Sequence, residues 1–310
     1  MSVYTTLSLN EAQQLAQQYY LEQPIALETI QAGVTNTNYR LLTANHRYVL
    51  TLFEHMTSAE LNDYLIFTLF LNQHYFPCPA PMKTKKGQLF TTCKGKPTTI
   101  IRYLTGEEKK VPSLAQCNHA GKIMAQLHLL SEQWPKKIIN QRDFFWCTQV
   151  AKKLKYCLSK EEQNLLNQEI NFLSCIQNDL SQLPQGMIHG DFFKDNVLFK
   201  DGKVSGVIDF YYAGWAPFIY DLAIAINDWA REQKHGVIDD AKEAALISGY
   251  LSLRLLSTTE INYLPVAKRM AALRFWLSRL MDVYFPQPEV LTYQKDPKVF
   301  YHLLRFYRGD

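Results

Sequence analysis

The chain has 310 residues, 47% of them hydrophobic and 20% charged, enough to bury one large core or two moderate ones. Its 13 Gly and 13 Pro are too few and too scattered for a low-complexity chain. Lys and Arg outnumber Asp and Glu by 33 to 29, a net charge of +4 that is too mild to argue for a nucleic-acid partner and weakly favours an anionic ligand; no nucleic acid is expected.

Cys78, Cys93, Cys117, Cys147, Cys157 and Cys175 show no C-x-x-C spacing, and no two histidines form an H-x-x-x-H pair. Neither zinc nor a redox motif is expected, and the thiols read as reduced and mostly buried. The first residues lack the basic region and apolar core of a signal peptide, and no apolar run reaches the ~18 residues of a membrane span. A soluble, cytoplasmic protein with no membrane partner is expected.

Ser8-Leu-Asn-Glu11 has the spacing of a capping box, and a helical stripe follows it as far as Pro24. Leu27–Ala32 and Tyr39–Thr43 read as strands on either side of Gly33-Val34-Thr35-Asn36-Thr37-Asn38. A loop of one glycine with small hydroxyl and amide side chains can lie over phosphates and donate backbone N–H groups to them. The third strand, Tyr48–Phe53, carries Thr51 at its centre. A helix is expected over 59–75, with Leu61, Leu65, Thr68, Leu69 and Asn72 on one face, and a proline cluster ends it at 77–81. Short strands are expected at 82–84, 88–92 and 98–104, and Thr105-Gly106 reads as a hinge.

From there the pattern is helical. Residues 113–130 form a helix with Gly121 and His128 on its apolar face; the glycine predicts a close packing contact, and the histidine reads as a core residue. Residues 154–180 supply another helix or pair, and further helices are expected at 222–231, 239–256, 258–284 and 296–308. Between these helices lies Met187-Ile-His-Gly-Asp191-Phe-Phe-Lys-Asp-Asn196, followed by two apolar runs around Asp201-Gly202 and then Ile208-Asp209-Phe210. This is a β-hairpin that gathers Asp191, Asn196 and Asp209 at one end. A carboxylate that deprotonates a hydroxyl, with an amide oxygen and a second carboxylate for Mg²⁺ on ATP phosphates, is the kit of phosphoryl transfer.

H-G-D-x-x-x-x-N followed by I-D-F resembles the catalytic and metal loops of the protein-kinase-like fold, in the aminoglycoside phosphotransferase and choline kinase branch. That resemblance implies an α+β, two-lobed chain, with a small antiparallel sheet lobe (1–104) and a mainly helical lobe (105–310). It implies ATP over Gly33–Asn38, adenine against Arg102, Tyr103 and Leu104, and a structural role for Asp221. Gly33, Asn36 and Tyr39 match the family's G-x-x-N-x-x-Y loop. Thr51 departs from the general kinase pattern, which has a phosphate-pairing Lys or Arg there.

The strings V-L-T-L-F-E at 49–54, R-F-W-L-S-R-L at 274–280 and K-D-P-K-V-F-Y-H-L-L at 295–304 are similar to the homoserine kinases of this branch. The similarity spans essentially the whole chain. It implies phosphorylation of L-homoserine to O-phospho-L-homoserine, a step towards threonine. A substrate with a carboxylate and an ammonium needs a partner for each. Arg274, on an apolar helix, is the candidate for the first and Asp228 for the second, with Tyr211 nearby. Arg279 lies five residues on, ~140° around the helix, and should face elsewhere. Choline, ethanolamine, aminoglycoside or thiosugar kinases remain alternatives, the first through the aromatics at 211–215. So does a nucleotide-binding pseudokinase without turnover. Nothing in the sequence fixes an oligomeric state.

Overall fold

A computed structural model describes residues 5–30, 36–232, 237–286 and 295–309. It divides into two compact units, the first running to Thr105 and the second starting at Gly106.

In the first unit, helix α1 (Leu9–Ala16) starts at the Ser8–Glu11 capping box. Strands β1 (Ala26–Ile30), β2 (Thr37–Leu42) and β3 (Arg47–Leu52) precede helix α2 (Ser58–Gln73), and β4 (Thr91–Cys93) and β5 (Lys96–Arg102) follow it. They form an antiparallel sheet in the order β1-β2-β3-β5-β4. Alternate residues of β2 and β3 point to one face, where Leu41, Leu50 and Ile100 meet Ala12, Leu15 and Tyr19. Helix α2 buries Leu61, Leu65 and Thr68 as its spacing predicts, with Phe67 and Leu71 where Leu69 and Asn72 were expected. Residues 82–84 make no strand. Pro81 and Thr84 form only single bridges, to Ile101 and Tyr19, and Pro79 and Pro81 have no N–H to extend a ladder backwards.

The second unit contains α3 (Leu114–Ser131), α4 (Phe144–Leu154), α5 (Lys160–Cys175), α6 (Gln177–Ser181), α7 (Phe218–Trp229), α8 (Asp240–Leu251), α9 (Thr258–Tyr284) and α10 (Lys298–Arg308). Two short antiparallel pairs are set among them: β6 (Gln185–Ile188) with β9 (Gly214–Pro217), and β7 (Val197–Lys200) with β8 (Lys203–Val207). The turn between β7 and β8 has Asp201 at φ 51° and Gly202 at φ 76°, the left-handed pair that a two-residue hairpin needs. All twelve residues of α7 are buried, so this helix is the axis of the unit. Among the described residues, no helix is long and apolar enough to cross a membrane.

The close contact predicted at Gly121 joins α3 to α8. A Cβ on Gly121 would lie 1.9 Å from the Leu246 carbonyl oxygen, and one on Gly249 would lie 1.8 Å from that of Asn118. Backbone carbonyls cannot rotate away as side chains can. Gly121→Ala should therefore destabilise the fold by about 1–3 kcal/mol, the usual cost of overpacking. Thermal unfolding measures it, and an unchanged midpoint would mean that the two helices part at no cost.

Candidate active site

The candidate catalytic loop runs from the end of β6 to the start of β7. Gly190 sits at φ 74°, and a Cβ there would meet the Tyr212 carbonyl oxygen at 2.4 Å, so only glycine fits between His189 and Asp191. His189 is fully buried; its Nε2 lies 2.9 Å from the Ile208 carbonyl oxygen, and its Nδ1 accepts the Asp191 N–H at 3.2 Å. Those two bonds fix a neutral ring with its proton on Nε2, and burial lowers the imidazole pKa in agreement. Asn196 Nδ2 donates to the Asp191 carbonyl at 2.9 Å and to Asp191 Oδ2 at 3.2 Å. The Asn196 amide oxygen is left as the atom that can ligate.

Helix α7 splints this loop at two points. Near its start, the Asp221 carboxylate accepts the His189 N–H at 2.9 Å and the Gly190 N–H at 2.8 Å. Two turns later, Asp228 accepts the Lys194 N–H at 2.9 Å, and Trp229 Nε1 donates to the Phe192 carbonyl at 2.9 Å. Burial alone would raise the Asp221 carboxyl; the His128 hydrogen bond and the neighbouring His189 hold it below the ordinary carboxylate range. His128, expected as a core histidine, is indeed buried, but it bridges two groups rather than one. Its Nε2 lies 3.1 Å from Asp221 Oδ2 and its Nδ1 2.7 Å from the Tyr250 hydroxyl. Arg254 donates to that hydroxyl at 3.2 Å and to Glu260 at 2.8 Å, and Glu260 caps α9. A continuous buried chain thus links the catalytic loop to the first turn of α9.

The same helix returns to the site through Arg274. Its Nη1 lies 3.9 Å from Asp191 Oδ1, and its guanidinium stacks 5.2 Å from the Tyr212 ring and 3.8 Å from that of Phe275. At 3.9 Å the two charges attract without a hydrogen bond, and Nη1 is buried with no partner. Burial raises the Asp191 pKa, and Arg274 opposes the rise. Arg279 faces elsewhere, as its spacing predicts, and donates to the Asp296 carbonyl at 2.8 Å. Asp228, the candidate for the substrate ammonium, is already engaged within the fold. Besides the Lys194 N–H it faces Lys194 Nζ at 3.5 Å and Arg231 Nη2 at 3.8 Å, so its charge is committed to the loop. Tyr211 contributes its backbone N–H to Asp209; the ring beside the arginines is that of Tyr212.

Asp209 follows β8 in the left-handed region, at φ 64° and ψ 56°. Its Oδ1 is buried without a hydrogen-bond partner, and burial, with Asp191 and Asp195 nearby, pushes its pKa up to about 7. An orphaned carboxylate oxygen beside other acids, with an amide oxygen able to ligate, fits a divalent cation. Among the described residues, no three His, Cys, Asp or Glu side chains cluster to hold an ion unaided. A hard cation held by one or two carboxylates completes its shell with ligand oxygens and water.

In the first unit, Thr51 Oγ1 donates to Asn38 Oδ1 across the β2–β3 pair at 2.7 Å. The Thr51 hydroxyl thus serves the sheet. Lys96 instead pairs with Glu54, whose carboxylate also accepts from the Thr37 and Thr5 hydroxyls. Glu60 caps α2 through Thr57. Arg102 ends β5, and the N–H groups of Arg102 and Tyr103 are donated to the carbonyls of Ala80 and Arg47. Asn36 is buried, while Gly33, Val34 and Thr35 lie outside the described residues.

Residues 26–256 match the model of the phosphotransferase enzyme family (APH). A homoserine kinase of Neisseria meningitidis is 41% identical over 98% of this chain and 99% of its own length. One from Methylobacillus flagellatus is 38% identical over 98% and 95%. The chain belongs to the homoserine kinases of the phosphotransferase enzyme family. Among solved structures, an amicoumacin kinase in complex with AMP-PNP, Ca²⁺ and Ami superposes with a TM-score of 0.73 at 15% identity, covering 97% of this chain and 92% of that one. A microcompartment-associated aminopropanol kinase gives 0.66 at 17% identity, covering 97% and 95%. The α+β, protein-kinase-like fold read from the sequence is the fold of this phosphotransferase.

Trp229, Tyr212 and Arg142 stand beside the loop and are not among the residues that the sequence pattern singles out. Asp228 and Trp229 carry a usable signal, since they lie two turns beyond Asp221 on one helix. Arg142 carries none, standing alone in a loop before a helix that sequence periodicity did not mark.

Proposed function

We propose that this enzyme transfers the γ-phosphoryl group of ATP to the side-chain hydroxyl of L-homoserine, with Mg²⁺ as the metal. The observation that carries the chemistry is Asp191, held from both sides by Asn196 and His189 with one carboxylate oxygen left towards Arg274. Asp191 orients the acceptor hydroxyl and takes its proton, and the buried setting that raises its pKa makes it a better base near neutral pH. Asn196, through its amide oxygen, and Asp209 are the residues that would hold Mg²⁺, which supplies positive charge to the transferring phosphates. Arg274 faces the substrate carboxylate. ATP is the donor by kinship with named kinases, and the full-length match to homoserine kinases carries the choice of acceptor.

Coupled ADP release over a panel of alcohols tests the reading. L-Homoserine should exceed choline, ethanolamine, a thiosugar and an aminoglycoside in kcat/KM, by up to about 10⁴–10⁵ where the site's polar groups are fully buried. Faster turnover of choline or an aminoglycoside would overturn the substrate and leave the kinase chemistry standing.

A further inference from the structure

Arg142 lies in the loop before α4, and α4 packs against α9, the helix of Arg274. Its guanidinium stands 5.5 Å from the Tyr212 ring and 4.6 Å from that of Trp146. Arg274 lies over the same Tyr212 ring. Two guanidiniums therefore share one aromatic side chain, next to Asp191. Both carry an orphaned donor: Arg142 Nε and Arg274 Nη1 are each buried without a hydrogen-bond partner. Such donors are costly unless something accepts from them.

The surrounding acids do not fill that role. Asp143 is occupied, accepting the Trp146 N–H at 2.8 Å as the cap of α4. Asp191 is 3.9 Å from Arg274, too far for a hydrogen bond. Asp282, on α9, feels the charge of Arg142, yet among the described residues no carboxylate lies within ion-pair distance of Arg142. Ring stacking favours the two cations but accepts none of their in-plane N–H groups. What is missing is a planar anion with two oxygens.

We propose that Arg142 and Arg274 together form a seat for the α-carboxylate of the amino-acid substrate, and that Arg142 determines specificity for it. This rests on the reading of the site as an amino-acid kinase. It adds a second cation and a reason for it. Arg274 by itself would divide its charge between the carboxylate and Asp191, and Arg142 adds a second cation whose Nε has no acceptor in the fold. An alcohol without the carboxylate leaves both guanidiniums uncompensated, which rejects it without any steric block.

The test compares wild type, Arg142→Gln and Arg142→Lys on L-homoserine and on the analogue whose carboxylate is replaced by hydroxymethyl. Arg142→Gln should raise KM for homoserine about 10- to 100-fold, the range set by one charge-assisted hydrogen bond. KM for ATP should hold, kcat should change little, and kcat/KM for the uncharged analogue should rise or stay level rather than fall with that for homoserine, since one uncompensated charge is gone. Arg142→Lys should recover part of the loss, since it keeps the charge without the fork. An unchanged KM for homoserine in Arg142→Gln, or equal losses on both substrates, would overturn the seat while leaving the kinase reading intact. A wild-type protein that neither turns over nor binds homoserine would overturn both.

Discussion

Asp191→Asn should lower kcat with homoserine by about 10²–10⁴-fold or more while nucleotide affinity is preserved. The substitution keeps the shape of the side chain; two of the loop bonds here involve its backbone N–H and carbonyl, which the variant retains, and the third, from Asn196 Nδ2, can be accepted by the new amide oxygen. What it removes is the acceptor for the hydroxyl proton. It also brings an uncharged amide to Arg274, which loses its attraction at 3.9 Å. Steady-state ADP release beside a nucleotide titration separates the two effects. A variant that kept the wild-type rate would show that the proton leaves by another route, and the role given to Asp191 would have to be withdrawn.

Asp209→Ala should abolish metal-dependent nucleotide binding, and Asn196→Ala should weaken it less, because a carboxylate offsets more phosphate charge than an amide does. The protonation of Asp209 gives this prediction a pH dependence. With its pKa at about 7, the carboxyl must lose a proton to ligate, so metal-nucleotide affinity should climb as pH rises towards 7 and level off above it. Asp209→Asn should flatten that dependence. The sign for stability is opposite. A carboxylate whose folded pKa is raised favours the fold while protonated, and that contribution is lost as pH rises through the folded value. The ligand-free Asp209→Asn variant should therefore melt higher than wild type above pH 7, with the gap closing at acid pH. Calorimetric titration and thermal scans at pH 5.5 and 8 read both. Equal, small effects of the two alanine variants on nucleotide affinity would exclude a metal site at these residues.

The sequence disclosed what local chemistry dictates. The hairpin around Asp201-Gly202 and the capping box at Ser8 depend on neighbours within one turn or one element, and a glycine inside a helix announces the crowding at Gly121, though not that α8 supplies it. It disclosed less where distant segments meet. The pairing of β6 with β9 has no alternating pattern to announce it, since Gly214–Pro217 mixes glycine, tryptophan and proline. An acid near the loop is a generic candidate for a substrate ammonium, and only the fold shows Lys194 and Arg231 already beside Asp228. Thr51 reads as a departure from the kinase pattern, and its bond to Asn38 explains why a hydroxyl serves there. Arg274 is a conspicuous candidate because it is a cation on an apolar helix, whereas Arg142 stands out only through the Tyr212 ring it shares.

The two-point hold of α7 on the catalytic loop has a consequence for how such an enzyme can change over generations. Asp221, Asp228 and Trp229 secure the chemistry from one helix, while the arginines come from α9 and the loop before α4. Drift at positions 142 and 274 can therefore alter which alcohol is accepted while the phosphoryl-transfer apparatus keeps its shape. A lineage can explore new acceptors while it retains its donor, and a misfit acceptor would leave a slow loss of phosphate to water as the trace of the intact half.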